Sequence, residues 1–192
     1  TPGITCKDCP SGRYLTDAGT LASTHGADTD CLYCPRGREF VDPTSACRVC
    51  GAGKFQPTDS TTPGITCKDC PSGRYLTDAG TLASKHGAET DCQYCTLGRY
   101  QPYTSRGFCY ACPQGKYSRL GHTFCFHCGV GKYAATWASS TCYSCGVGQY
   151  NAGTARSVCY GCPAGHYQPL KGKHFCYHCP KGMYQPYIAR TF

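Results

Sequence analysis

The chain has 192 residues, of which 20 are Cys, 24 Gly and 13 Pro, with a formal net charge of +8. Leu, Ile, Val and Phe together number only 23, too few for a sizeable core, and the Gly and Pro content disfavours long helices. With no run near the roughly 18 apolar residues of a membrane span, these counts exclude a Rossmann-type enzyme, a helix bundle and a membrane protein, and leave small cross-linked modules.

The chain opens at Thr1 with no Met and no signal-peptide pattern, as expected of a processed chain or a fragment. All 20 cysteines then fall in ten C-x-x-C pairs, starting at Cys6, Cys31, Cys47, Cys67, Cys92, Cys109, Cys125, Cys142, Cys159 and Cys176. Most pairs are followed by Pro or Gly, any residue, Gly, any residue and an aromatic, as in Cys9-Pro-Ser-Gly-Arg-Tyr14 and Cys112-Pro-Gln-Gly-Lys-Tyr117. Pro or Gly starts a turn, the second Gly supplies a φ other residues resist, and the aromatic begins a strand of two to four residues. A polar loop then returns to the next Cys. Without a core, each aromatic ring is expected to pack on the disulfide of its own module.

Residues 1–31 recur at 62–92 with two differences, Thr24/Lys85 and Asp28/Glu89. From Cys92 onward the pairs recur every 16–17 residues. The expected organisation is 1–91, holding the two long near-identical modules, and 92–192, holding five regular modules, with an array that continues past both ends. Self-similarity of this kind reads as units stacked on their neighbours. The fold class is therefore small and disulfide-rich: about ten short two-stranded β modules in a solenoid-like rod, with almost no helix.

Three chemistries fit paired cysteines. Zinc knuckles are one, and His127 and His178 sit inside C-x-x-C pairs, where they read more simply as surface histidines. A zinc-ribbon array, however, would alternate short and long gaps. Redox catalysis needs a helix N-terminus beside the thiol, which this helix-poor chain does not offer. Structural disulfides in an oxidising compartment fit best.

The unit Cys-x-x-Cys-Pro-x-Gly-x-Tyr…Cys-x-x-Cys resembles the ephrin-receptor-like cysteine-rich repeat, a relative of the first module type of tumour necrosis factor receptors. The long modules carry the resemblance best: Cys9 to Tyr14 leading to Cys31-Leu-Tyr-Cys34, and the copy ending at Cys92-Gln-Tyr-Cys95. The resemblance implies an extracellular or cell-surface location. It also implies that the second Cys of each pair bonds the first of the next. That gives Cys9–Cys31, Cys34–Cys47, Cys50–Cys67, Cys70–Cys92, Cys95–Cys109, Cys112–Cys125, Cys128–Cys142, Cys145–Cys159 and Cys162–Cys176. Cys6 and Cys179 would pair outside the chain. The interlaced modules of the receptors are absent. Long uninterrupted arrays resemble the giant surface proteins of algae and other protists, including those that build hairs and sheaths.

No catalytic or phosphate-binding motif is present, and no cofactor is expected. Asp17, Asp28 and Asp30, with Asp78, Glu89 and Asp91 in the copy, are candidates for a calcium site in the long loops. Arg13, Arg38, Lys54, Arg74, Arg99, Lys116 and Lys132 each follow a module Gly and would form a basic stripe if the modules stack. The only Asn, Asn151, is not in a glycosylation sequon, so O-linked sugar is expected, on Thr58, Ser60, Thr61, Thr62, Thr104 or Ser105. The functional expectation is a non-enzymatic building block of an extracellular filament or coat that binds copies of itself. The alternative is a receptor-like or secreted ectodomain binding a protein or acidic polysaccharide. A zinc-ribbon array is a minor third, and no nucleic-acid partner is expected.

Overall fold

The computed structural model describes every residue except 1–5, 18, 20, 21, 59, 60 and 192. Its regular structure is eight two-stranded sheets, each of two consecutive two-residue strands. In chain order these are β1 (Arg38–Glu39), β2 (Arg48–Val49), β3 (Lys54–Phe55), β4 (Lys68–Asp69), β5 (Arg74–Tyr75), β6 (Gln93–Tyr94), β7 (Arg99–Tyr100) and β8 (Tyr110–Ala111). They continue as β9 (Lys116–Tyr117), β10 (Phe126–His127), β11 (Lys132–Tyr133), β12 (Tyr143–Ser144), β13 (Gln149–Tyr150), β14 (Tyr160–Gly161), β15 (His166–Tyr167) and β16 (Tyr177–His178). The only helical pieces among the described residues are single 3₁₀ turns, Ala22–Thr24 and Asp28–Asp30 with their copies Ala83–Lys85 and Glu89–Asp91. No described helix is long and apolar enough to cross a membrane.

The first strand of each hairpin is the basic-aromatic dipeptide after the turn Gly, or its equivalent. The second is the x-x of the next C-x-x-C. Nine disulfides close these units: Cys9–Cys31, Cys34–Cys47, Cys50–Cys67, Cys70–Cys92, Cys95–Cys109, Cys112–Cys125, Cys128–Cys142, Cys145–Cys159 and Cys162–Cys176. We number modules 1 to 9 by these bonds. Cys6 and Cys179 have no disulfide partner among the described residues. With eighteen cysteines joined in pairs, no zinc ribbon forms.

The turn is set by sequence. In module 6 the Lys116 N–H donates to Pro113 O at 3.1 Å across Gly115, whose φ is +79°. The buried apolar positions are almost all half-cystines, with Phe55, Leu76 and Ala134 as the exceptions. Phe55 of module 3 packs with Leu76 and with Cys70 and Cys92 of module 4. In modules 5 to 9 the aromatic pairs across its hairpin. Tyr100 faces Tyr110 (5.7 Å between centroids), Tyr117 faces Phe126 (5.5 Å), Tyr133 faces Tyr143 (6.2 Å), Tyr150 faces Tyr160 (6.3 Å) and Tyr167 faces Tyr177 (5.7 Å). The register sets two rings opposite each other, a favourable cross-strand pair.

The residue after the aromatic is the most buried polar position. Gln56, Gln101, Ser118, Asn151 and Gln168 are all fully buried. Asn151 shows why. Its Nδ2 donates to Lys132 O of the preceding module at 2.7 Å, and its Oδ1 accepts from Gly153 N at 3.1 Å. Ser118 Oγ likewise donates to Arg99 O at 2.9 Å, and Gln56 Nε2 to Arg38 O at 3.1 Å. The main chain repeats the pattern, with the N–H of most turn glycines bonded to the carbonyl of this residue in the next module (Gly115 to Ala134, 2.8 Å; Gly131 to Asn151, 2.8 Å). No buried side-chain polar atom among the described residues lacks a partner.

Contacts also reach the second module along. Ala138 of module 7 donates its N–H to Cys112 O of neighbouring module 6, and a Cβ on Gly98 of module 5, two modules away, would overlap its carbonyl. Gly115 stands in the same relation to Ala155, Gly131 to Gly172 and Gly37 to Ala83. Stacking is therefore not limited to nearest neighbours. The chain divides into two compact units, 1–93 with 103–108 and 94–102 with 109–192. The excursion 103–108 stays with the first unit through Ser105 N–H to Cys70 O (3.0 Å) and Leu76 N–H to Arg106 O (3.1 Å).

Candidate binding surface

The carboxylates expected to gather calcium are dispersed. Asp78 Oδ2 accepts from the backbone N–H groups of Gly80, Thr81 and Leu82 and faces His86 Nε2 at 2.8 Å. Bonds from Thr81, His86 and the loop backbone hold its carboxyl far below the usual range. Asp30 accepts from Gly26 and Ala27, and Asp91 from Ala88. Glu89 pairs with Arg74 at 3.4 Å, Asp17 with His25 at 3.3 Å, and Asp28 supplies only its carbonyl, to Arg13. Among the described residues no three His, Cys, Asp or Glu side chains come together to hold a metal. Asp30, Asp78 and Asp91 order the long loops by local hydrogen bonding.

The basic positions split by region. In residues 1–91 they are engaged. Arg13 lies over Tyr33 (4.5 Å), Arg38 donates to Cys47 O (2.9 Å), Lys54 pairs with Asp69 (2.7 Å) and Arg74 with Glu89. The Lys54 bond lowers the Asp69 carboxyl. Glu39 is lowered too. Its burial acts the other way and is outweighed by Arg48 and the Cys67 N–H. Residues 92–192 differ. They contain ten Lys and Arg and no Asp or Glu, against nine and eleven in residues 1–91, so the net charges are +10 and −2. Arg99 reaches Cys109 O at 3.3 Å. Lys116 and Lys132 sit opposite His127 and Ser144 in their hairpins.

Successive strand residues point to opposite faces. Each hairpin of the second unit thus has an aromatic pair on one face and at least one basic or polar side chain on the other. Where the loop of module 7 meets module 6, an open groove of about 460 Å³ is lined by Tyr117, Arg119, His127, Lys132, Ser140 and Thr141. It offers two permanent cations, an imidazole, two hydroxyls and an aromatic ring, with no carboxylate to compete for an anion.

Of the proposed sugar acceptors, Thr61, Thr62 and Thr104 are exposed, Thr58 and Ser105 are half-buried, and Ser60 lies outside the described residues. The sequence reading passed over three features now visible: the buried polar residue after each aromatic, the second aromatic row inside C-x-x-C, and the absence of acid after Asp91. The last is plain in the sequence once charge is counted by half.

The family model described as tyrosine-protein kinase ephrin type A/B receptor-like matches residues 148–191. This segment is similar to the ephrin-receptor-like cysteine-rich repeat. The chain is also 30% identical over 140 residues to "Sushi, von Willebrand factor type A, EGF and pentraxin domain-containing protein 1" of Rattus norvegicus and of Mus musculus, covering 57% of this chain. It is 30% identical over 104 residues, 46% of the chain, to human "Signal peptide, CUB and EGF-like domain-containing protein 2". The chain spans only 4% of the first two relatives' length and 10% of the third's. These similarities and the disulfide content place it outside the cell or on its surface.

Proposed function

We propose that this array is a non-catalytic extracellular binding module whose residues 92–192 engage an acidic polysaccharide. The observation that carries this reading is the charge partition: ten cations and no carboxylate over 101 residues. A surface of one sign attracts a polyanion over several ångströms of water and cannot satisfy its own charges. The groove of Arg119, His127 and Lys132 supplies local anchors for sulfate or uronate groups. Tyr117 supplies a flat apolar face for a pyranose ring.

The test is retention of the oxidised chain on immobilised heparin across a salt gradient. Binding should weaken steeply with ionic strength, as screening shortens the Debye length from ~10 Å at 0.1 M to ~3 Å at 1 M. Arg119→Glu with Lys132→Glu should elute at clearly lower salt. Lys54→Glu, at a position already neutralised by Asp69, should elute near the parent. Equal elution of all three chains would defeat the reading.

A second reading, a self-associating filament or coat bearing O-linked sugar, is favoured by the exposed aromatics that recur module by module: Tyr110, Tyr143, Tyr160 and Tyr177. Repeated weak contacts in register add through effective concentration. Sedimentation tests it: a concentration-dependent rise in mass supports assembly, and a constant monomer mass at high concentration excludes it.

A further inference from the structure

We propose that His166 and His178 form a two-imidazole site for a divalent transition metal, copper(II) foremost. The two residues are direct cross-strand partners in β15–β16, and their ring centroids are 4.2 Å apart. The matching positions of the other hairpins in this unit hold Arg99 and Ala111, Lys116 and His127, Lys132 and Ser144, and Gln149 and Gly161. Only in module 9 do two imidazoles meet.

A second observation points to a ligand. His166 Nδ1 lies 3.1 Å from the carbonyl oxygen of Ala164. A carbonyl only accepts, so this bond puts the proton on Nδ1 and leaves the Nε2 lone pair available. Backbone carbonyls fix the tautomer and aim of metal-binding histidines in this way. Stacking alone accounts for the ring contact but not for this orientation.

The site is also held in place. The Cys162–Cys176 bond closes the hairpin, His166 N–H bonds Pro163 O at 3.1 Å, and Tyr167 and Tyr177 pair on the opposite face. His166 is half-buried and His178 exposed, so an ion can enter. No third His, Cys, Asp or Glu among the described residues joins them, so water fills the remaining positions. Neutral imidazole donors with open tetragonal positions favour copper(II) over zinc, following the general affinity order of the first-row metals.

The test uses the full chain with Cys6 and Cys179 alkylated and all nine disulfides intact, because a free thiolate would bind or reduce copper. Titration with copper(II) at neutral pH, read by calorimetry and electron paramagnetic resonance, should give one equivalent ligated by two nitrogens. His166→Ala and His178→Ala should each lower affinity about tenfold or more, and His174→Ala should not. His178→Ser places in this hairpin the residue that Lys132 faces in its own. It should keep the native amide spectrum while losing the ion. Equal copper affinity in the parent, His166→Ala and His178→Ser overturns the proposal, as does a spectrum without nitrogen ligation.

Discussion

Asp78 and His86 meet at 2.8 Å between Oδ2 and Nε2, while His86 Nδ1 contacts the Lys54 carbonyl of the preceding module at 2.7 Å. The fully buried ring therefore ties the long loop of module 4 to the strand of module 3. Its copy His25 faces Asp17 at 3.3 Å with a third of its side chain exposed.

Asp78 sets a pH dependence. Its folded carboxyl titrates well below the unfolded value of ~3.9. The folded state thus binds fewer protons than the unfolded state between the two values. Its stabilising contribution is fully present above the unfolded value and is lost as pH falls through the folded one. Amide exchange at Gly80, Thr81 and Leu82 should accelerate, relative to the rest of the chain, as pH drops below about 4. Asp78→Asn should show that local acceleration already at neutral pH. Unchanged protection in both experiments would show that the carboxylate does not order the loop.

The turn glycines form a graded series. Gly115 combines a φ of +79° with a Cβ position already occupied by Ala155 backbone; Gly165 has φ +78° in open space; Gly129 has neither constraint. Gly165→Ala should cost about 1 kcal/mol, from φ alone. Gly115→Ala should cost more than ~2 kcal/mol, and Gly129→Ala should stay within about 0.5 kcal/mol. Local exchange protection, not a single melting midpoint, is the proper readout, since arrays do not unfold all at once.

Asn151 tests the buried polar position. Asn151→Ala leaves the Lys132 carbonyl and the Gly153 amide without their side-chain partner and should cost roughly 1–3 kcal/mol. Asn151→Asp should be worse, because a carboxylate cannot donate to Lys132 O. Asn151→Gln should be mild, since Gln56 makes the corresponding bond to Arg38 O. Thermal and exchange measurements on the three variants would rank them.

Disulfide connectivity is tested by peptide mapping without reduction. Links should join neighbouring C-x-x-C pairs, and a link such as Cys109 to Cys112 would refute the pattern. Each bond closes a short loop worth about 3 kcal/mol. Dithiothreitol should therefore collapse the fold and chelator should leave it intact, as read by circular dichroism and protease sensitivity.

Hairpin positions were legible in sequence because two strong local signals flank them, the C-x-x-C pair and the Pro/Gly-x-Gly turn. The module count and the scarcity of helix follow from the same signals. The role of Gln56, Ser118 and Asn151 was not legible. A polar residue after a strand looks like the start of a solvated loop, and only the arrival of the neighbouring module buries it. The reach from Gly98 to Ala138 was hidden for the same reason, since a turn glycine explains itself through φ before any distant contact is known. The partners of the acidic residues were equally hidden. Asp17 and Asp30 have the composition of a cation site, and in the fold His25 faces the first while the Gly26 and Ala27 amides bond the second.

The disulfide pairing also decides how the chain would carry tension. Each bonded pair spans only 5.6–5.8 Å between Cα atoms. A pulling force passes through that bridge and through the next C-x-x-C, and bypasses the loop between. The exposed C-x-x-C segment can stretch to about 11 Å, so a module drawn taut reaches about 16 Å. Once reduced, the same 17-residue module could pay out nearly 60 Å of chain at ~3.5 Å per residue. Oxidised, the array is a tether with almost no slack, and its length under load is governed by the redox state of sulfur.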